Sequence, residues 1–162
     1  MKISIGDKLP DATFQSMGPE GPVSHNIRDL TTGKKIVIFG LPGAYTNTCS
    51  TAHMPSFVRN ANEIRANGID AIYCLAVNDV HVMKSWAKEM GADTAHIGML
   101  SDVDGSYTKS IGFNFTVPAV GFFDRSQRYS MIVNNGVITS LNEEIKRTSC
   151  DISGGETILD QL

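Results

Sequence analysis

The residue best suited to chemistry in this sequence is Cys49. It follows a Pro42-Gly43 pair and stands among hydroxyl side chains, namely Thr46, Thr48, Ser50 and Thr51. If a helix begins at or just before Cys49, its thiol lies in the first turn, where the helix dipole and unpaired backbone N–H groups favour a thiolate. Such a thiol is nucleophilic near neutral pH. The same pattern is equally compatible with a small buried apolar residue beside helix-capping hydroxyls.

Other chemistries find less support around this cysteine. No C-x-x-C occurs, so a dithiol mechanism lacks its second sulfur in the usual place. The four histidines and three cysteines show no metal-ligand spacing, and we expect no metal site. Neither a phosphate-binding loop nor a Gly-rich dinucleotide fingerprint is present. A Cys49–His53 pair four residues apart on one helix would hold the imidazole a full turn from the sulfur.

Alternating strand and helix patterns surround Cys49. Residues 35–41 are apolar on both faces, which is typical of a strand covered on both sides of a parallel sheet. Apolar spacing after Cys49 predicts a helix that ends near Gly68, and residues 69–77 form the second predicted strand. Asn78-Asp79 then resembles the cap of a helix that reaches Gly91. A third short strand, residues 96–100, leads to a short helix around residues 106–111.

The two ends of the chain carry simpler signals. Residues 12–14 form a short extended piece, and a Gly/Pro/Ser loop follows over residues 16–24. Two runs, 128–133 and 137–141, flank Asn134-Asn135-Gly136 and predict a hairpin, because Asn-Gly favours a tight primed turn. A closing helix is predicted over residues 156–162. Together these elements predict one α/β domain over residues 1–162, with a mixed β-sheet flanked by helices.

Composition limits the partners that this protein can have. The sequence has 162 residues and a formal net charge of −3, so it lacks the broad basic surface that nucleic acid or anionic lipid requires. The longest apolar runs, 36–41 and 97–100, are only strand-length, and no membrane span is expected. Three cysteines are an odd count, and no apolar leader follows Met1-Lys2. We therefore expect reduced thiols and a cytoplasmic location.

The segment around Cys49 resembles the active-site loop of the peroxiredoxins. Residues 42–50 read Pro-Gly-Ala-Tyr-Thr-Asn-Thr-Cys-Ser, which matches the signature P-x-x-x-T-x-x-C and is similar to the Prx5, or type II, subfamily. The likeness covers nearly the whole chain, since matching segments also occur at 6–12, 49–55, 77–79, 82–86 and 125–129. The family implies a thioredoxin-like fold.

The resemblance also implies a role for each matching position. Cys49 would be the peroxidatic cysteine, which attacks a peroxide oxygen and becomes a sulfenic acid. Thr46 would hydrogen-bond the peroxide and the sulfur, Pro42 would exclude water, and Arg128 would stabilise the thiolate and the charge on the breaking O–O bond. Arg125 is expected at the surface. Three further residues are expected to form the substrate pocket: Gly43, Thr48 and His53.

Some positions depart from the subfamily pattern. Asn47 replaces the usual proline, which should make the loop before Cys49 less rigid, and Tyr45 replaces phenylalanine. Residues 112–124 form a shorter segment than in many relatives, so the rim of the pocket is less well predicted. None of these changes touches the residues assigned to the chemistry.

The step that regenerates the thiol has three candidate routes. Cys74 lies 25 positions after Cys49 (74 − 49), as in plant-like type II relatives, but it falls in the middle of a predicted strand. Cys150 lies near the position of a C-terminal resolving cysteine in other members. In a 1-Cys cycle, glutathione with glutaredoxin, or thioredoxin, would attack Cys49 directly.

The resemblance therefore implies a thiol-dependent peroxidase acting on hydrogen peroxide and alkyl hydroperoxides, in antioxidant defence and redox homeostasis. It implies no metal, haem or flavin cofactor and a homodimer formed through loops near the active site. The alternative is a non-catalytic thioredoxin-fold protein, a redox sensor or chaperone-like binding module in which Cys49 signals rather than turns over.

Overall fold

A computed structural model describes all 162 residues, which form nine strands and five α-helices. The strands are β1 (Thr13–Gly18), β2 (Gly21–Asn26), β3 (Lys35–Gly40), β4 (Ala71–Ala76), β5 (Ile97–Ser101), β6 (Asn114–Val117), β7 (Phe122–Ser126), β8 (Tyr129–Asn134) and β9 (Val137–Glu143). The helices are α1 (Ile27–Thr31), α2 (Met54–Ala66), α3 (Val80–Met90), α4 (Ser106–Ser110) and α5 (Gly155–Asp160). A π-helical turn, Cys49–His53, leads directly into α2, and a 3₁₀ turn, Pro118–Val120, joins β6 to β7.

Seven strands form one mixed sheet in the order β2-β1-β5-β4-β3-β8-β9, and β6 and β7 pair separately. The central strands β3, β4 and β5 are parallel, whereas the outer ones are antiparallel. This arrangement confirms the predicted α/β class with a mixed sheet flanked by helices.

Strand β3 explains why the sheet is covered on both faces. Val37 and Phe39 belong to one buried cluster, with residues of α2, α3 and α5, whereas Ile36 and Ile38 belong to a second cluster, with residues of α1 and α4. Since side chains alternate along a strand, a wholly apolar strand must bury both of its faces. None of the helices has the length and apolar character needed to cross a lipid bilayer.

The helix and turn signals of the sequence are confirmed where capping chemistry is strong. Asp79 caps α3, since its carboxylate accepts from His81 N at 2.8 Å and Val82 N at 2.9 Å, and Gly91 ends the helix in the left-handed region. In the β8–β9 turn, Asn135 and Gly136 both have positive φ, as a primed two-residue hairpin requires. Strand β9 continues to Glu143, two residues beyond the predicted end.

Two predictions about the connecting segments are wrong. Residues 16–24 are not a loop: β1 and β2 form a hairpin whose ladder runs from Thr13–Asn26 to Gly18–Gly21. The segment 112–124 contains the β6–β7 hairpin, which the sequence analysis did not predict. Both hairpins hold prolines at or beside their turns, and proline signals turns more strongly than short strands.

Candidate active site

Cys49 lies in the first turn of a helix, as the sequence predicts. Helical conformation begins at residue 47, the π-helical turn spans Cys49–His53, and the helix continues as α2. The first backbone bond of this helix joins Ser50 N to Thr46 O at 3.0 Å, so the Cys49 amide lies ahead of it. The thiol is fully buried. Its position at the positive end of the helix dipole favours a thiolate.

A tight turn before the helix fixes Thr46. The Thr46 hydroxyl donates to Gly43 O at 2.8 Å, and Tyr45 between them has a φ of 64°. Because the hydroxyl proton is engaged with Gly43 O, it is not donated to the sulfur, as the resemblance implied. The lone pairs of the Thr46 oxygen remain free to accept a hydrogen bond from a peroxide O–H.

Arg125 supports the same turn and is not the surface residue that the sequence analysis expected. It is half-buried, and its Nη1 donates to Pro42 O at 3.0 Å. A side chain at Gly43 would overlap Arg125 Nη1, so this close approach requires glycine. On the other side of the turn, Asn78 Oδ1 accepts from Ala44 N at 2.9 Å.

Arg128 is the charged group that contacts the sulfur. It stands just before β8, is only 2% exposed, and donates from Nη2 to Cys49 Sγ at 3.3 Å. Its other partners are His53 Nδ1, at 3.0 Å from Nη1, and Arg147 O, at 3.2 Å from Nε and 3.1 Å from Nη2. Among these contacts only the sulfur can carry negative charge, and Arg128 forms no salt bridge. A buried guanidinium without a carboxylate partner strongly favours the thiolate of Cys49.

His53 holds Arg128 in place as a neutral imidazole. Its Nε2 lies 3.0 Å from Ser153 O, and a carbonyl can only accept, so Nε2 carries the proton and Nδ1 accepts from Arg128. Burial, and then the positive charge of Arg128, lower the pKa of His53 to about 3. The imidazole is therefore uncharged at neutral pH. His53 does not bond to the sulfur, so it is not the base of a Cys–His pair.

A pocket of about 310 Å³ opens above this group. The predicted residues Pro42, Thr46, Thr48 and Arg128 line it, together with Asn47, Val120, Phe122, Arg147 and Thr148. Cys49 lies beneath the pocket, reached through the Arg128 guanidinium. Gly43 and His53, expected in the pocket, lie outside its lining: Gly43 is packed under Arg125, and His53 stands behind Arg128. A larger groove of about 640 Å³ runs along α3 and contains none of the predicted site residues.

The other two cysteines differ sharply in their surroundings. All three thiols are free. Cys74 is fully buried in β4, between Phe39 of β3 and Met99 of β5. Burial, and then the charge of Cys49, raise the pKa of Cys74 well above its usual value, against a smaller opposing effect of Arg128. Cys150 is only partly buried, in the segment between β9 and α5, and burial raises the pKa of its thiol.

That segment supplies contacts that the sequence analysis missed. The Arg147 carbonyl binds Arg128 directly, and the Ser153 carbonyl binds it through His53. Thr48 Oγ1 donates to Thr148 O at 2.9 Å, which joins the segment to the start of the active-site helix. Main-chain carbonyls carry no sequence signal, because every residue has one.

Comparisons with known proteins agree with this geometry. The model of the Redoxin family matches residues 4–159. The chain is 42% identical over 146 residues to peroxiredoxin-2E, chloroplastic, of Arabidopsis thaliana, covering 88% of this chain but only 62% of that relative. Peroxiredoxin-2C of Oryza sativa subsp. japonica is 37% identical over 161 residues, covering 99% of this chain and 98% of the relative.

A solved structure gives the same result for the fold. Reduced Prx3 from Vibrio vulnificus in complex with H₂O₂ superposes with a TM-score of 0.92 at 43% identity, covering 98% of both chains. The mixed sheet and its helices therefore form the thioredoxin-like fold predicted from the sequence. With the buried Cys49–Arg128 contact at the matching loop, the chain belongs to the redoxin family and, within it, to the type II peroxiredoxins, which are thiol-dependent peroxidases.

Proposed function

We propose that this protein reduces hydrogen peroxide and alkyl hydroperoxides with Cys49 as the attacking thiolate. The observation that carries the proposal is the contact between Cys49 Sγ and Arg128 Nη2, a buried cation whose other partners are neutral. Charge-assisted hydrogen bonds of this kind are about twice as strong as neutral ones. The sulfur is thus a thiolate at neutral pH and a nucleophile in the resting protein.

The reaction balances with one peroxide and one thiol. The thiolate attacks one oxygen of R–O–O–H, an S–O bond forms, and the O–O bond breaks. The departing oxygen takes a proton and leaves as water or an alcohol, while Cys49 becomes a sulfenic acid. The sulfur is oxidised by two electrons, and the peroxide is reduced by two.

Two groups at the floor of the pocket fit this reaction. The Thr46 oxygen has lone pairs for the peroxide O–H, because its own proton is engaged with Gly43 O. Arg128 has five N–H groups, and its four recorded bonds leave one N–H of Nη1 for the departing oxygen. A fixed donor at the oxygen where charge develops lowers the barrier.

For the return step we propose Cys150 rather than Cys74 as the resolving cysteine. Its thiol attacks the sulfenic acid, which forms the Cys49–Cys150 disulfide and releases water. Its support is the partly exposed position of Cys150 in a segment outside the sheet, whereas Cys74 is paired on both sides within it. Thioredoxin, or glutathione with glutaredoxin, then supplies the two electrons that reopen the disulfide.

We also propose a cytoplasmic location and a homodimer. Three free thiols suit a reducing compartment. The dimer is supported by exposed apolar side chains on the segments that border the pocket, which are Val120, Phe123 and Ile145 at 58%, 63% and 97% exposure. Isolated apolar residues are common at surfaces, but apolar residues grouped in one region favour association.

Rapid mixing of the reduced protein with stoichiometric hydrogen peroxide tests the assignment of Cys49. The only tryptophan, Trp86, donates to Ser50 Oγ at 3.0 Å, so its fluorescence reports events beside Cys49. We expect oxidation at least about 10³ times faster than that of free cysteine, as preorganised donors permit.

The matched variants are Cys49→Ser and Cys74→Ser. Cys49→Ser should abolish the fast phase, and Cys74→Ser should retain it. A wild-type protein that reacts no faster than a free thiol would exclude the peroxidase, as would a Cys49→Ser variant that still consumes peroxide rapidly. Either result would favour a non-catalytic protein of this fold.

A further inference from the structure

The segment of residues 145–153 orients the catalytic arginine from outside the sheet. The Arg147 carbonyl accepts two bonds from Arg128, at 3.2 and 3.1 Å. The Ser153 carbonyl accepts from His53, which in turn accepts from Arg128. Three of the four hydrogen bonds that Arg128 makes therefore depend on where this segment places its carbonyls.

One buried carboxylate, Glu144, fixes the far end of the segment. Glu144 stands just after β9 and is 6% exposed. Its Oε1 accepts from Ile152 N at 2.7 Å, Ser153 N at 2.8 Å and Ser153 Oγ at 2.9 Å. Its backbone N–H donates to Arg128 O at 3.0 Å. The same residue thus binds both the end of the segment and the main chain that carries the arginine.

A salt bridge does not account for this carboxylate, since Glu144 takes part in none. Its three partners are neutral donors, two of them on Ser153. Burying a carboxylate without a cation is costly, and donors converging on one oxygen offset that cost. Such an arrangement holds a backbone in one conformation.

We propose that Glu144 is a positioning residue for the peroxide reaction: by fixing Ser153 and the segment before it, it holds Arg128 against Cys49 Sγ. This proposal rests on the proposed function, in which Cys49 is the nucleophile. Glu144 touches neither the sulfur nor the pocket lining and acts through Ser153, His53 and Arg128.

Positioning and direct charge predict opposite results when Glu144 is replaced. The ionisable groups around the sulfur are Arg128 before β8, His53 on its own turn and Cys74 on β4, and Glu144 itself lies near Cys150. If Glu144 acted by its negative charge alone, removing it would favour the thiolate and speed the reaction at low pH. If it positions Arg128, removing it disfavours the thiolate and slows the reaction.

The test uses Glu144→Ala and Glu144→Gln in the full chain, with the rate of peroxide oxidation measured across pH by Trp86 fluorescence. We expect the midpoint of the pH–rate profile to move to higher pH in Glu144→Ala, with a rate at pH 7 about tenfold lower, the loss that a rise of about one unit in the ionisation midpoint causes. Glu144→Gln keeps a neutral acceptor at the same place and should restore part of the rate.

Glu143→Gln is the matched control, since Glu143 is the preceding residue and pairs only with Lys2 on the surface. It should match the wild type. Should Glu144→Ala fail to fold by circular dichroism, Glu144→Gln and Ser153→Ala, which removes only the hydroxyl donor, should both show a smaller shift in the same direction.

A midpoint that is unchanged or moves to lower pH in the folded Glu144 variants would overturn the positioning role. A slow wild-type protein would overturn the assignment of Cys49 instead, so the two failures are distinguishable.

Discussion

At the scale of single residues, the site depends on a charge whose only ionisable contact is the reactive sulfur. Arg128 is almost wholly buried, and its remaining partners are an imidazole and a carbonyl. A guanidinium keeps its charge at every accessible pH, and its flat fork allows one side chain to bind the sulfur, His53 and Arg147 at once. Lysine would bring the charge without the fork.

This difference gives a prediction for Arg128. Arg128→Ala should slow the oxidation of Cys49 by hydrogen peroxide by about 10²-fold, the usual effect of removing one donor at a charged transition state. Arg128→Lys should fall between Ala and the wild type, because it keeps the charge but cannot replace three contacts. Rapid mixing with peroxide at pH 7 gives both rates.

Arg28→Ala serves as the control, since Arg28 is exposed and pairs with Asp11 far from the site. Its rate should equal that of the wild type. An Arg128→Ala variant that is oxidised at the wild-type rate would remove Arg128 from the mechanism.

At the scale of elements, the two spare cysteines differ in what must move before they can react. Cys74 sits in β4, hydrogen-bonded to strands on both sides, and its exposure would require the centre of the sheet to open. Cys150 lies in a segment tied down by side-chain contacts, such as those of Thr48 and Glu144. Breaking a few such contacts costs far less than unpairing a central strand.

We therefore predict that one equivalent of peroxide gives a Cys49–Cys150 disulfide. Mass spectrometry without reductant should show the loss of two hydrogens in the wild type and in Cys74→Ser. Cys150→Ser should instead accumulate the sulfenic acid of Cys49 or, with glutathione present, a mixed disulfide.

A loss of two hydrogens that persists in Cys150→Ser and disappears in Cys74→Ser would make Cys74 the resolving cysteine. A sulfenic acid in the wild type with no disulfide would indicate direct reduction by an external thiol.

The elements near Cys49 were predictable from sequence because local signals agree there. Strand β3 is apolar throughout, Asp79 caps α3, and Asn135-Gly136 makes a primed turn. Where turn formers and short strands compete, as in β1–β2 and β6–β7, the pairing partner decides, and it lies elsewhere in the sequence. Extended conformation there comes from tertiary pairing.

The site was predictable only for residues that carry a motif. The loop signature locates Pro42, Thr46 and Cys49, and the matching segment 125–129 locates Arg128. Glu144 gave no signal, because an isolated glutamate after a strand is ordinarily a solvated charge. His53 was assigned to the wrong side of Arg128, since helical spacing alone does not show what a side chain faces.

At the scale of the whole molecule, one buried histidine makes stability depend on pH. The pKa of His53 is about 3 in the folded protein, against 6.5 for the model value of a histidine. Between these values the unfolded chain binds a proton that the folded chain does not. Stability is therefore full above pH 6.5 and falls as the pH is lowered towards 3.

We predict a loss of roughly 2 kcal/mol from this group at pH 5 relative to pH 7, from its shift of a few pKa units. His53→Gln keeps an acceptor for Arg128 and a donor for Ser153 but does not titrate. The free energy of unfolding by urea should therefore fall less steeply between pH 7 and pH 5 in this variant than in the wild type.

His81→Gln, at an exposed position on α3, is the control and should retain the wild-type slope. If His53→Gln shows the same pH dependence as the wild type, the proton uptake on unfolding must come from other groups.

The single ionisable contact of Arg128 also sets the order of events after the reaction. Oxidation converts the thiolate into a neutral sulfenic acid, which leaves a cation in the interior with no anion beside it, and an unbalanced buried charge is strongly destabilising. Arg147 and Ser153, which hold that cation, lie in the segment that contains Cys150. The spent enzyme thus has its own incentive to open where the second thiol waits, so that turnover proceeds from a strained product rather than from a chance fluctuation.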